Sequence, residues 1–119
     1  MSKFKVTNYR NKKGILKFPD HYVNLAITVS AEGIVANAQG RKIVPAGTIV
    51  GGGFLTSESI EAVKANGTGA EGILFNDVDV THGSAPGAAL IHGFIALDKL
   101  PEEPSVEAKA ALKQITFLK

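Results

Sequence analysis

The sequence predicts a small, compact, mostly β domain of the mixed α/β class, with two short helices and a flexible N-terminal arm. Three observations predict this fold class. Val23, Leu25, Ile27 and Val29 alternate with less apolar residues, as in a half-buried strand. Proline and glycine divide the later apolar runs into short pieces. A chain of 119 residues has the length of one domain and can bury a core without disulfides or metal.

Residues 1–20 are predicted to form the basic arm, and residues 21–119 the single β-rich domain. Residues 1–17 contain six cations and no acid, while the net charge of the whole chain is only +2. This asymmetry indicates an arm that meets an acidic surface. A solvated, partly disordered terminus explains the same charges equally well. Phe4, Val6 and Tyr9 are separated by polar residues, so the arm could form a short strand on contact with a partner.

The middle of the chain predicts short strands around glycine-rich turns. Residues 34–38 are predicted as a short strand, and two further strands flank a turn at Pro45-Ala46-Gly47. The glycine triplet at 51–53 lacks the Lys-Ser/Thr pair of a phosphate loop, so a flexible or tightly bent loop is the preferred interpretation. Residues 59–66 are predicted as the first helix, closed by Asn66-Gly67.

The last third predicts two apolar strands, a helix and a terminal strand. Residues 73–81 are predicted as one strand whose Val78 and Val80 face away from Asp77 and Asp79. A loop at 82–87 would join it, as a hairpin, to the most apolar strand at 88–97. After the proline break, Ser105 caps a helix, and a strand at 116–118 follows. The apolar residues of that helix recur at helical spacing: Ala108, Ala111, Leu112 and Ile115.

Reactive side chains form no convincing constellation in the sequence. Asp77, Asp79 and His82 could bind a metal or exchange protons, but the exposed face of a strand explains the two acids better. His92 lies in an apolar strand and is predicted to be packed and hydrogen-bonded. His21 carries no pattern, and the three histidines lack the i, i+4 spacing of a zincin.

The remaining composition excludes further classes of site. The chain has no cysteine, so it has neither a disulfide framework nor a zinc-thiolate site. Its serines lie outside a Gly-x-Ser-x-Gly elbow. The sequence therefore predicts no enzyme, no catalytic residue, no cofactor and no metal site. The six Phe and two Tyr lie mostly within apolar runs and are predicted to be core, which argues against a base-stacking platform.

Targeting signals are also missing from the sequence. No apolar run is long enough to span a bilayer, and the basic N-terminus has no apolar signal region. The net charge is too balanced to indicate direct nucleic-acid binding. We therefore expect synthesis in a cytoplasm, with neither a membrane nor a nucleic acid as a direct partner.

Two short runs and the order of the elements after them form a recognisable pattern over residues 41–119. The runs are Arg41-Lys42-Ile43-Val44-Pro45-Ala46-Gly47-Thr48 and Ala70-Glu71-Gly72-Ile73-Leu74. A strand leading into a residue-Gly pair, a break, an acidic helix and a final β segment follow, at His92-Gly93, Leu100-Pro101, residues 107–113 and residues 115–118. This pattern resembles the head-decoration proteins of tailed bacteriophages, of the phage lambda type.

This resemblance implies a β-tulip-like domain that forms homotrimers on the outer capsid surface of a virion. The partners would be the major capsid protein and two further copies of the chain, and the bound trimers would stabilise the shell against packaged DNA. The N-terminal third departs from the lambda protein, since the arm is more basic and an extra strand follows it. The residues expected to bind the capsid lie in the arm: Lys3, Phe4, Lys5, Val6, Tyr9, Arg10, Lys12 and Lys13.

Two other functions remain open at this point. The chain could form the base of a head fibre, which would share the fold but carry an added domain. It could also be a small β-rich carrier or ligand-binding module built around the turn at residues 44–47. A carrier needs a lysine within a tight hairpin, whereas Lys42 precedes the turn.

Overall fold

Short strands account for most of the regular structure, as the sequence predicts. The computed structural model describes residues 15–18, 21–57 and 59–118. Within these ranges a 3-10 turn spans Leu97–Lys99. The other elements are β1 (Val23–Val29), β2 (Ile43–Val44), β3 (Ile49–Gly51), β4 (Val63–Lys64), β5 (Ala70–Leu74), β6 (Val78–Asp79), β7 (Ala85–Ala96), α1 (Val106–Ala111) and β8 (Ile115–Leu118). The predicted class, a mostly β domain, is confirmed.

β7 is the central strand of the main sheet. Among the described residues the sheet has the order β1-β7-β5-β3-β4, and β8 pairs with the far end of β7. β1 and β5 run antiparallel to β7, while β8 runs parallel to it, with Gly93 opposite Ile115. β2 and β6 form a separate two-stranded sheet. The 12 residues of β7 therefore hold together segments from both ends of the chain.

The two ends of the main sheet meet and close it around a core. Ala62, directly before β4, forms a parallel bridge with Val29 of β1. Its N–H donates to the Thr28 carbonyl over 2.7 Å, and its own carbonyl accepts from the Ser30 N–H over 2.9 Å. Closure of this kind protects backbone groups that an open sheet edge would expose. The apolar core inside includes Ile27, Val29, Val44, Val50, Phe54, Ala62, Leu74, Val78, Val80 and Ala89.

A second core covers the outer face of the same strands. Adjacent residues of β5 divide between the two cores, since Leu74 belongs to the first and Ile73 to the second. This follows from the alternation of side chains along a strand, and it explains why these strands are apolar on both faces. α1, β8 and the segment at residues 15–16 close this outer side. The second core contains Ile15, Ile49, Ala70, Ile73, Leu90, Ile95, Ala108, Leu112 and Ile115.

The packed domain begins before residue 21. Ile15 is 1% exposed, and its carbonyl accepts from the Ala96 N–H over 2.8 Å. Lys17 donates its N–H to the Phe94 carbonyl over 2.8 Å, and Leu16 forms an antiparallel bridge with Ile95. Of the arm predicted over residues 1–20, residues 15–18 thus lie against β7 and belong to the domain. Residues 1–14 lie outside the described part of the chain.

The helix predicted over residues 59–66 is wrong. The described part of this segment holds a turn, the bridge at Ala62 and β4. Eight residues make a marginal helix in water, so backbone pairing with β1 and β3 outweighs the local preference. Asn66 does not close a helix but holds the start of α1. Its Oδ1 accepts from the Ser105 N–H over 2.8 Å, and its Nδ2 donates to the Glu103 carbonyl over 3.0 Å.

Other local predictions have mixed outcomes. The strands at 23–29 and at the C-terminus are confirmed, as is the helix after Ser105, whose hydroxyl accepts from the Ala108 N–H over 3.0 Å. This helix ends at Ala111, however, and Ile115, predicted to continue its apolar spacing, lies in β8. No strand forms at 34–38, where the Asn37 carboxamide instead accepts from two later N–H groups. The single strand predicted over 73–81 is divided into β5 and β6. The predicted hairpin is correct only in part. β5 pairs antiparallel with β7, whereas β6 pairs with β2, and β7 already begins at Ala85, within the predicted loop.

Candidate functional site

The acidic cluster singled out by the sequence mainly fixes backbone. Val78 and Val80 are buried while Asp77 and Asp79 are exposed, which confirms the predicted alternation. Asp77 Oδ1 accepts from the Ala46 N–H over 2.7 Å and thereby fastens the turn before β3. The carboxylate of Asp79 accepts from both the hydroxyl and the N–H of Thr81. Within the described residues, no three His, Asp or Glu side chains are placed to hold a metal ion.

The environment of Asp79 favours its ionised form. The hydrogen bond from the Thr81 hydroxyl is the main cause that lowers the pKa of Asp79, followed by the Thr81 N–H; Arg41 contributes less. Arg41 lies 3.6 Å from Asp79 Oδ2, but both side chains are exposed, so this ion pair stabilises the fold little. The Thr81 hydroxyl in turn accepts from the Lys42 N–H over 2.9 Å. Asp79 and Thr81 therefore brace the β2–β6 pair.

We expect Asp79 to contribute to acid sensitivity. Because its pKa is lower in the folded than in the unfolded chain, its contribution to stability is present above the unfolded pKa and is lost as pH falls through the folded pKa. Asp79→Asn should flatten the pH dependence of the melting temperature below the unfolded pKa of about 3.9. NMR titration of the carboxyl groups should show Asp79 titrating lower in the parent than in Thr81→Val. An unchanged pKa in Thr81→Val would contradict the assigned cause.

The glycine triplet forms a bend whose N–H groups are occupied. Gly52 and Gly53 both have φ of +112°, a conformation that favours glycine. The N–H groups of Gly53 and Phe54 donate to Glu71 Oε1 over 2.8 and 3.0 Å. An anion-binding loop would present such groups to a ligand. Here a carboxylate of the protein takes that place, and of the two predicted alternatives, a flexible loop or a tight bend, the structure has the tight bend.

The turn around which a carrier or ligand-binding module would be built does not hold a lysine at its tip. Thr48 donates its N–H and its hydroxyl to the Pro45 carbonyl, over 3.2 and 2.7 Å, so the tight turn comprises residues 45–48. Lys42 lies before β2 and outside this turn, as the sequence indicates. A lysine that carried a cofactor would need to sit at the tip.

The prediction that the aromatic side chains are core is correct only in part. Phe54 is buried, and Phe75 and Phe117 pack against the second core, but other aromatic side chains lie at the surface. Of the described Phe and Tyr residues only Phe54 is fully buried, while Phe18 is 49% and Tyr22 42% exposed. Phe18 packs edge-on against Phe94, with ring centroids 5.5 Å apart, and Tyr22 stacks on Phe75 at 5.3 Å. We call the group Phe18, His21, Tyr22, His92 and Phe94 the aromatic surface. It lies on β7, next to the point where the described chain begins.

Two histidines that the sequence left unpaired meet within the aromatic surface. The Nε2 atoms of His21 and His92 are 3.0 Å apart, and His92 Nδ1 lies 2.9 Å from the Gln114 carbonyl. His92 is therefore hydrogen-bonded, as predicted, but half-buried instead of enclosed in the core. The signal was missed because 71 residues separate the two histidines. Only the pairing of Val23 with His92 brings the start of β1 beside β7.

The predicted capsid-binding residues lie between residues 3 and 13, outside the described part of the chain.

Among the residues that are described, no helix has the length and apolar character needed to cross a membrane. The fold and its surfaces define a small, mostly β domain. Neither a protein-family model nor a curated protein matches the sequence.

Proposed function

We propose that the chain is a structural protein of a virus particle: a head-decoration protein that binds the outer capsid surface of a tailed bacteriophage as a homotrimer. The main support is the aromatic surface beside the base of the basic arm. Exposed aromatic side chains are enriched where proteins bind partners. The order of β2, β5, β7, α1 and β8 agrees with the order that the resemblance to lambda-type decoration proteins implies.

The position of Ile15 connects this surface to the arm. Ile15 and Lys17 pair with β7, so the described segment that directly follows residues 1–14 lies beside the strand that carries His92 and Phe94. An arm anchored there can add a strand to a capsid subunit while the domain's aromatic side chains contact the shell or a neighbouring copy. A trimer offers three arms, so individually weak contacts can give firm attachment.

Expanded capsids assembled without this protein provide the test. We expect saturating protein to appear by cryo-microscopy as trimers at threefold and quasi-threefold positions on the outer surface. Removal of residues 1–14 should weaken binding by about tenfold or more, as expected when avidity is lost. The shortened domain should keep its melting temperature, because Ile15 and Leu16 remain in place.

Two controls separate the parts of this proposal. Replacing Lys3, Lys5, Arg10, Lys12 and Lys13 by Gln should weaken binding mostly at low salt, since screening already reduces these charges at high salt. Val35→Ala changes an apolar side chain that is 86% exposed but lies outside the aromatic surface, and it should bind like the parent. If capsids show no bound density at saturating protein, the proposed function is wrong.

A further inference from the structure

The hydrogen bonds of the histidine pair define its protonation pattern. The Gln114 carbonyl can only accept, so His92 Nδ1 carries a proton and donates to it. In the neutral ring the lone pair is then on His92 Nε2. Since His21 Nε2 is 3.0 Å away, it donates its N–H to that lone pair. The His92 ring is thus held by the backbone with its Nε2 lone pair toward His21.

We propose that His21 and His92 form a two-imidazole chelate for a divalent transition metal that prefers tetragonal geometry, namely Cu²⁺ or Ni²⁺. Neutral imidazole is a common ligand for these ions. Among divalent first-row ions, nitrogen sites bind Cu²⁺ most tightly, and they bind Ni²⁺ more tightly than Mn²⁺, Fe²⁺ or Co²⁺. The two Nε2 atoms are 3.0 Å apart, so both are within reach of one ion.

The two rings are not arranged head to head in one line. Their centroids are 4.9 Å apart and their planes are inclined by 77°. A collinear pair of imidazoles joined by a 3.0 Å contact would place the centroids farther apart. On binding, the proton between the two Nε2 atoms moves to His21 Nδ1, and both rings remain neutral.

The surroundings supply orientation and access. The bond from His92 Nδ1 to the Gln114 carbonyl is the kind of outer contact that orients metal-binding histidines. The ring of Phe94 lies 6.1 Å from that of His21 and limits its movement on one side. His21 is exposed, so an ion and its remaining water ligands can approach from solvent.

Calorimetric titration of the full chain, purified without a histidine tag, tests the site with Cu²⁺ and with Ni²⁺ alone. We expect one ion per chain. His92→Gln and His21→Gln should each weaken binding by about tenfold or more, because loss of an outer contact alone often costs that much. The third histidine gives the matched control: His82→Gln should bind like the parent. Circular dichroism checks that each variant is folded.

Spectroscopy separates this chelate from unspecific copper binding. The electron paramagnetic resonance spectrum of the Cu²⁺ complex should be axial and show coupling to imidazole nitrogen, and this signal should vanish in the double variant His21→Gln/His92→Gln. Binding that is equal in the parent and the double variant would overturn the proposal. So would a loss of affinity in His82→Gln as large as that in His92→Gln. Neither result bears on capsid attachment, which is measured without metal.

Discussion

Ile15→Ala should lower the free energy of unfolding by about 2–5 kcal/mol, although the sequence places this residue in a flexible arm. Ile15 is 1% exposed and packs in the second core with Ile95 and Leu112. Truncation to alanine removes buried apolar surface and leaves a cavity between β7, α1 and β8. Chemical denaturation measures this loss of unfolding free energy, provided that the dependence of the free energy on denaturant concentration is the same in both proteins.

Two further variants keep this prediction testable. Ile15→Val removes only one methyl group and should cost about 0.5–1.5 kcal/mol, so it remains measurable if Ile15→Ala fails to fold. Val35→Ala, at a side chain that is 86% exposed, should change stability by less than about 0.5 kcal/mol. If Ile15→Ala is as stable as Val35→Ala, residue 15 does not belong to the core. In that case removal of residues 1–20 should also leave the domain folded.

Gly51→Ala is the second substitution with a large expected effect. Gly51 pairs with Val63 on one side and with Ala70 on the other. A Cβ atom added there would lie 2.0 Å from the Gly69 carbonyl oxygen and 3.0 Å from the Ala65 Cβ. Backbone cannot yield like the end of a flexible side chain, so the pairing of β3 must shift. We expect a loss of about 1–3 kcal/mol or more.

A glycine from the neighbouring loop provides the matched control. At Gly67 an added Cβ would meet no atom within 4 Å. Gly67→Ala should therefore be neutral or stabilising by about 0.4–1 kcal/mol, because alanine restricts the unfolded chain. Thermal unfolding of both variants, with backbone amide spectra to locate the shift, distinguishes them. Equal melting temperatures would show that β3 can absorb the extra methyl group.

Strong local patterns account for the elements that the sequence predicted correctly. β1 follows from strict alternation, and α1 follows from helical spacing after the Ser105 cap. The exposure of Asp77 and Asp79 also follows from alternation, because a strand has only two faces. Each of these predictions depends on residues within one segment. Such patterns survive folding when the tertiary contacts agree with them.

The incorrect predictions concern segments whose hydrogen-bonding or packing partners lie far away in the sequence. Residues 59–66 have a helical composition, yet Ala62 bonds to β1, more than thirty positions earlier in the chain. Phe18 and Tyr22 were wrongly predicted to be core because an apolar run does not reveal which of its faces is covered. Phe18 and Tyr22 remain exposed since β7, against which they lie, presents that face to solvent.

Local sequence was sufficient for the fold class, for the course of β1, α1 and β8, and for the tight bend at the glycine triplet. Tertiary structure alone decided the closure of the sheet through Ala62, the place of Ile15 in the core and the meeting of His21 with His92. The physical reason is that propensity and alternation act between neighbours along the chain. Strand register acts between residues far apart in sequence, and it depends on which backbone edges remain free when the core closes.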